Sequence, residues 1–216
     1  MVKINVALDG PGGSGKSTVG KLLADRLGYR FLDSGLLYRH FARFYFQKQT
    51  GEISLSLLAE WQKLTEDKEK LMVELERDKA ELNSPELSRL TSQLSPHPEL
   101  RKIIRQLQQT LTNSKGWIVA GRDITSQILP TAEIKIFLTA SLEARVQRRY
   151  QQMAQKNRTQ NEVATELQQR DQRDQTRSLA PLQKTADSWE LDTTQLSPSE
   201  SVEKILSHIK SKSLNI

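Results

Sequence analysis

Cysteine is absent from this 216-residue chain, which excludes disulfides and thiolate metal sites. Aromatic residues are scarce, at 6%, and no basic run is interleaved with them, so nucleic-acid binding ranks well below nucleotide binding. No apolar stretch is long enough to span a bilayer. The first residues run straight into an alternating apolar stretch, so no signal peptide is expected. Together these absences predict a cytoplasmic protein with no membrane or nucleic-acid partner. Hydrophobic residues make up 36%, enough for one core, and the length allows one α/β domain with a lid or small insert. The net charge of +6 suits an anionic ligand.

What is present is one stretch with a definite chemistry. Gly10, Pro11, Gly12, Gly13, Ser14, Gly15, Lys16, Ser17 and Thr18 fit G-x-x-x-x-G-K-[ST], the phosphate-binding loop. Gly12, Gly13 and Gly15 leave the backbone free to adopt positive φ and to aim successive N–H groups at one anion. The following helix adds the positive end of its dipole. Lys16 supplies a mobile cation for the outer phosphates, and the Ser17 hydroxyl is a suitable Mg²⁺ ligand. Both flanks agree with the motif. Ile4, Val6 and Leu8 alternate as a strand does, and Val19, Leu22, Leu23 and Leu27 recur at helical spacing before Gly28, a C-cap residue.

Further strands are expected at about 29–32, 117–120, 134–138 and 188–191. Helices separate them, which predicts an α/β three-layer sandwich with a central parallel five-stranded sheet. Asp33 and Ser34 would face a ligand if the second strand lay beside the first; an ordinary helix N-cap is the plainer reading. Between 51 and 95 a helix containing Leu57, Leu58, Trp61 and Leu64 precedes a charged turn. The segment 71–82 is compatible with a hairpin or with more helix. Arg101 and Arg105 are expected to project away from the apolar face of a helix at about 99–111. The terminal helix carries a full start signal in Ser197, Pro198 and Glu200.

From Ser141 to Arg177 there are seven arginines and one lysine, although the whole chain has sixteen of each. Planar guanidinium forks grip phosphate oxygens from two directions. The segment 157–178 has so few apolar residues that core burial is not expected to hold it, and it reads as a mobile lid. A P-loop, a metal and lid arginines suit phosphoryl transfer, which needs positioning and positive charge more than a base. A nucleotide switch is disfavoured, since no Asn-Lys-x-Asp motif occurs. A nucleic-acid-stimulated ATPase is the other reading.

Four blocks in order resemble bacterial cytidylate kinase, of the nucleoside monophosphate kinase group. They are the P-loop with Leu8 and Asp9, Leu32 to Arg39, Gly121-Arg122-Asp123 with 135–141, and Arg170 to Arg177 followed by Ala180-Pro181-Leu182 and Leu191 to Thr194. The resemblance implies Mg²⁺- and ATP-dependent phosphorylation of CMP and dCMP by a monomer. It implies a kinase core of residues 1–49 and 92–216, an acceptor-binding insert at 50–91 and a lid at 155–178. Arg39, Arg122 and Arg177 would hold the acceptor phosphate, and Arg170 and Asp174 the ribose. Asp123, Ser92 and Arg101 would read cytosine, with Ser34 nearby. Arg148 and Arg149 would act on the ATP side, so that Lys16, Arg148, Arg149 and Arg177 carry catalysis and Arg148 also contacts ATP. A carboxylate accepts from the exocyclic amine of cytosine, which uracil lacks. Thr125 and Ser126 replace the family's usual Gly-Thr, and the insert is shorter and more charged than the usual three-stranded subdomain. Both departures leave UMP as an alternative acceptor.

Overall fold

A computed structural model describes residues 3–49, 51–152 and 159–213. Thr50, Met153 and residues 155–158 of the expected lid lie outside the described residues. The chain forms two compact units, one of residues 1–32 and 114–216 and the other of residues 33–113.

The first unit is built on strands β1 (Val6–Asp9), β2 (Arg30–Asp33), β3 (Trp117–Ala120), β4 (Ile134–Thr139) and β5 (Trp189–Asp192). They form one parallel sheet in the order β2-β3-β1-β4-β5. Strand β1 is buried along its whole length, as a central strand covered on both faces requires. Its neighbours set the register, with Leu8 opposite Ala120 on one side and Ile136 on the other. Helices α1 (Lys16–Leu27) and α10 (Pro198–Ser213) supply Val19, Leu23, Val202, Ile205 and Ile209 to the core over alternate strand residues. Gly28 ends α1 at φ 65, and Ser197 and Glu200 exchange capping hydrogen bonds at the start of α10, both as their spacing predicts.

Strand β2 lies beside β3 rather than β1. The condition that would have aimed Asp33 at a ligand beside β1 is therefore not met. Asp33 instead caps the next helix, accepting from Gly35 N at 3.0 Å. The connection from β1 runs to one side, to β2, and that from its neighbour β4 to the other, to β5, so the P-loop sits where open α/β sheets bind ligands.

Helices α8 (Leu142–Gln152) and α9 (Gln160–Thr176) pack together in this unit. Val163 and Leu167 of the polar α9 are buried against Val146, with Leu142, Tyr150 and Ala164 alongside. The expectation that burial could not hold this helix is thus corrected. Two well-placed apolar residues one turn apart suffice to anchor it.

The second unit is helical. It contains α2 (Ser34–Lys48), α3 (Leu55–Leu64), α4 (Lys68–Arg77), α5 (Lys79–Leu82), α6 (Pro85–Leu94) and α7 (Pro98–Leu111). The segment 71–82 is helix, because Leu71, Leu75 and Leu82 are buried at helical spacing. Asp67 caps the start of α4, and Ser84 caps α6 beyond the segment. At the centre of the unit Trp61 donates to His40 Nδ1 at 3.0 Å and meets Phe41 edge-on at 5.5 Å. Arg43 ties α2 to Asp78 at 2.8 Å.

A Cβ on Gly10 would lie 1.9 Å from the Leu138 carbonyl oxygen, at a φ of +146 that side chains rarely adopt. Gly10→Ala is expected to cost about 2 kcal/mol or more. A thermal melt that matched the parent protein would contradict this packing of β1 against β4.

Candidate phosphoryl-transfer site

The P-loop follows β1 directly, and its backbone curls through Gly10, Gly13 and Gly15, which have φ of 146, 78 and 92. Gly12 does not share this conformation, contrary to expectation. Its small size is needed for approach, since a Cβ there would meet Leu167 at 3.3 Å and Arg122 Nη2 at 3.7 Å. Lys16 is buried and folds back over the loop, donating to Pro11 O at 2.7 Å and Ser14 Oγ at 3.2 Å. Ser17 and Thr18 are exposed in the first turn of α1. A local cation over a curled backbone is an anion cradle.

The arginines named from sequence separate into distinct settings. Arg122 Nε donates to Asp174 Oδ2 at 2.7 Å. Arg170 Nε lies 3.9 Å from the same carboxylate, and Arg177 Nη1 lies 3.8 Å from its other oxygen. Arg177 Nη2 also lies 3.9 Å from Asp123 Oδ1. Three guanidinium groups therefore converge on Asp174 within the first unit. Burial pushes the Asp174 carboxyl up, but the charges of Arg122 and Arg170, the Arg122 hydrogen bond and the charge of Arg177 outweigh it. The net position is below the ordinary carboxylate value. Arg148 is pinned to the segment after β5, donating to Thr193 Oγ1 at 3.0 Å and to the Thr193 carbonyl. Thr193 Oγ1 in turn reaches Ser14 O of the P-loop at 3.2 Å, so Arg148 is linked to the loop through one residue. Arg149 is half-buried on the same helix.

The remaining expected residues belong to the second unit. Ser34 and Arg39 are buried on α2, and Ser92 is half-buried on α6. Arg101 is buried rather than projecting away. It donates to Ser95 O at 3.2 Å and sits 5.8 Å over the Tyr38 ring, a cation–π placement.

Three residues escaped the sequence reading of roles. Asp9, wholly buried at the end of β1, accepts from Ile124 N at 2.9 Å, Thr125 N at 2.8 Å and Thr125 Oγ1 at 2.7 Å. Burial pushes its carboxyl up, and the three hydrogen bonds only partly oppose that. It anchors a single turn of π-helix, Ile124–Ile128, that begins immediately after Asp123. The Thr125 departure is thereby explained, because its hydroxyl completes this carboxylate cage. The others are Arg145 and Asp171, which bond each other at 2.5 Å beside Gly12. An acidic residue immediately before the glycine loop was the available signal for Asp9. Nothing in the spacing pairs residue 145 with residue 171.

The family model for cytidylate kinase matches residues 6–211. Over 215 residues the chain is 37% identical to a cytidylate kinase of Caldicellulosiruptor bescii, covering 95% of both chains. It is 39% identical over 217 residues to a cytidylate kinase of Mycoplasmopsis synoviae, covering 97% of this chain and 99% of that one. Among solved structures it resembles a shikimate kinase from Bacteroides thetaiotaomicron, with a TM-score of 0.54 at 10% identity and coverage of 97% and 99%. A shikimate kinase from Acinetobacter baumannii in complex with shikimate gives 0.51 at 22% identity, covering 99% of this chain and 97% of that one. These structures share the fold.

Asp9→Ala leaves two buried N–H groups unpaired and is expected to cost about 2 kcal/mol or more. Thr125→Val should cost less, because it removes one bond of three. Equal melting temperatures for both variants would refute the cage. The Asp174 carboxyl is held below its unfolded value of 3.8. Its ion pairs therefore stabilise the fold above about pH 4, and that contribution is lost as pH falls through the folded value. Asp174→Asn should flatten the acid limb of a stability–pH profile, and an unchanged limb would show that the pairs contribute nothing.

Proposed function

The chain belongs to the cytidylate kinase family, and on that premise we propose that it transfers the γ-phosphoryl group of ATP to CMP and dCMP, giving CDP and dCDP. The observation that supports this most directly is the convergence of Arg122, Arg170 and Arg177 on one carboxylate, with Arg122 reaching the rim of the P-loop. In this reading the donor phosphates lie in the P-loop, where backbone N–H groups and Lys16 bind them. Arg148 and Arg149 face the donor side.

The acceptor phosphate binds Arg122 and Arg177, and the resemblance adds Arg39 as a further ligand of it. Arg170 and Asp174 take the ribose hydroxyls. When the phosphate dianion arrives it offers the arginines a stronger partner than Asp174, so the carboxylate is released to accept from the sugar. Asp123 accepts from the cytosine amine; for Ser92, Arg101 and Ser34 a contact to the nucleotide rests on the resemblance alone. The attacking phosphate oxygen is already anionic near neutral pH, so orientation and charge stabilisation carry the reaction without a strong base.

Ser17 would hold Mg²⁺. Among the described residues no cluster of three or more His, Asp or Glu side chains offers another site. That fits an ion that keeps most of its ligands as water and substrate oxygens. When bound it neutralises charge on the transferring phosphates.

UMP is the second acceptor to consider, because the second unit is helical throughout its described residues where the family's insert is three-stranded. Initial rates with CMP, dCMP, UMP and AMP test the reading, and a preference for AMP would overturn it. Lys16→Ala should lower kcat by about 10²-fold to 10³-fold; near-normal turnover would remove Lys16 from the chemistry. Asp123→Ala should erode the preference for CMP over UMP by about tenfold or more. An unchanged preference would take Asp123 out of base reading.

A further inference from the structure

Gly12 is held through both of its backbone polar groups, one in each of its two peptides. Gly12 N–H donates to Asp171 Oδ1 at 3.3 Å. Gly12 C=O accepts from Arg145 Nη1 at 3.1 Å. The same Nη1 bonds Asp171 Oδ2 at 2.5 Å, which closes a three-membered bracket around one glycine. Arg145 is fixed in turn by its Nε, which donates to Ala140 O at 3.1 Å just beyond β4. Both side chains are largely buried, at 10% and 13% exposure. Asp171 is carried by α9, and Leu167 of that helix packs over Gly12.

We propose that Arg145 and Asp171 are positioning residues that set the orientation of the P-loop peptides and so its affinity for the phosphates of a Mg²⁺–nucleotide. The peptides of a glycine turn easily, because it has no Cβ to restrict its φ. In a trans peptide the carbonyl of Gly12 and the N–H of Gly13 point in opposite directions. Holding the carbonyl on Arg145 therefore turns the Gly13 N–H to the other side of the loop. A Cβ on Gly13 would meet the Arg145 backbone and Cβ at 3.0–3.4 Å, so the loop has no room to rotate toward α8. The bracket also explains why the position-145 side chain is arginine. One planar fork serves the Ala140 carbonyl, the Gly12 carbonyl and a carboxylate at once, which a lysine ammonium on a flexible stem does not. Asp174 lies one turn beyond Asp171 on α9. The helix that gathers the three guanidinium groups is thus the helix that holds the donor loop.

The inference rests on reading the first unit as the ATP-binding half, and its deciding measurement needs no acceptor. Calorimetric titration with MgADP is compared for the parent, Arg145→Lys and Asp171→Asn, alongside their melting temperatures. Each variant is expected to bind MgADP about tenfold more weakly, and the double variant no more weakly than the worse single one. In turnover, kcat should fall while KM for CMP moves less than twofold. Folded variants whose MgADP affinity stays within twofold of the parent would overturn the proposal, whatever their melting temperatures. Arg145→Lys keeps the charge and most of the stem, so it decides the question if Asp171→Asn does not fold. Parent protein that binds MgADP but phosphorylates none of the monophosphates would sink the acceptor reading and leave the bracket standing.

Discussion

The first unit depends on keeping several guanidinium groups close to one another. Two unit charges 4 Å apart repel by about 4 kcal/mol at an effective dielectric of 20. Asp174 meets that constraint by standing between Arg122, Arg170 and Arg177, and Asp171 does the same for Arg145. Both carboxylates come from α9, one turn apart. The helix owes its place to two buried apolar residues, Val163 and Leu167, and the rest of its surface is free to carry charge. Polar composition in this segment therefore reflects a helix that organises cations.

A second constraint runs through β1. Its last residue, Asp9, is the only buried carboxylate on that strand, and the next residue opens the P-loop. By holding the first turn after Asp123, Asp9 joins the strand that carries the P-loop to the strand end that carries Arg122 and Asp123. The P-loop and the Arg122–Asp123 segment are thus referenced to one sheet. Phosphoryl transfer benefits from such rigidity, since small errors in placement are costly when positioning supplies most of the rate.

The second unit holds charged and polar side chains inside an all-helical packing. Ser34, Arg39 and Arg101 lie buried on helices whose apolar faces are Leu37, Phe41, Leu100 and Ile104. The polar pair of Trp61 and His40 fastens α3 to α2. A buried hydrogen bond of that kind specifies one packing among several that apolar contacts alone would permit.

The sequence by itself determined the local features whose physics is local. The P-loop, the caps at Gly28 and Ser197, the buried run of β3 and the alternation of strands with helices all follow from spacing and side-chain type within a few residues. The grouping of the arginine-rich blocks with a kinase family was legible in the same way. Only the tertiary structure decided what depends on distant partners. It placed β3 between β1 and β2, which left Asp33 as a cap. It buried Arg101 and anchored α9. It made helix of 71–82, where short apolar runs suit either period until a packing surface selects one. It also joined residue 145 to residue 171 and residue 9 to residue 125, because a hydrogen bond across more than a hundred residues, or between two helices, leaves no periodic trace in the chain.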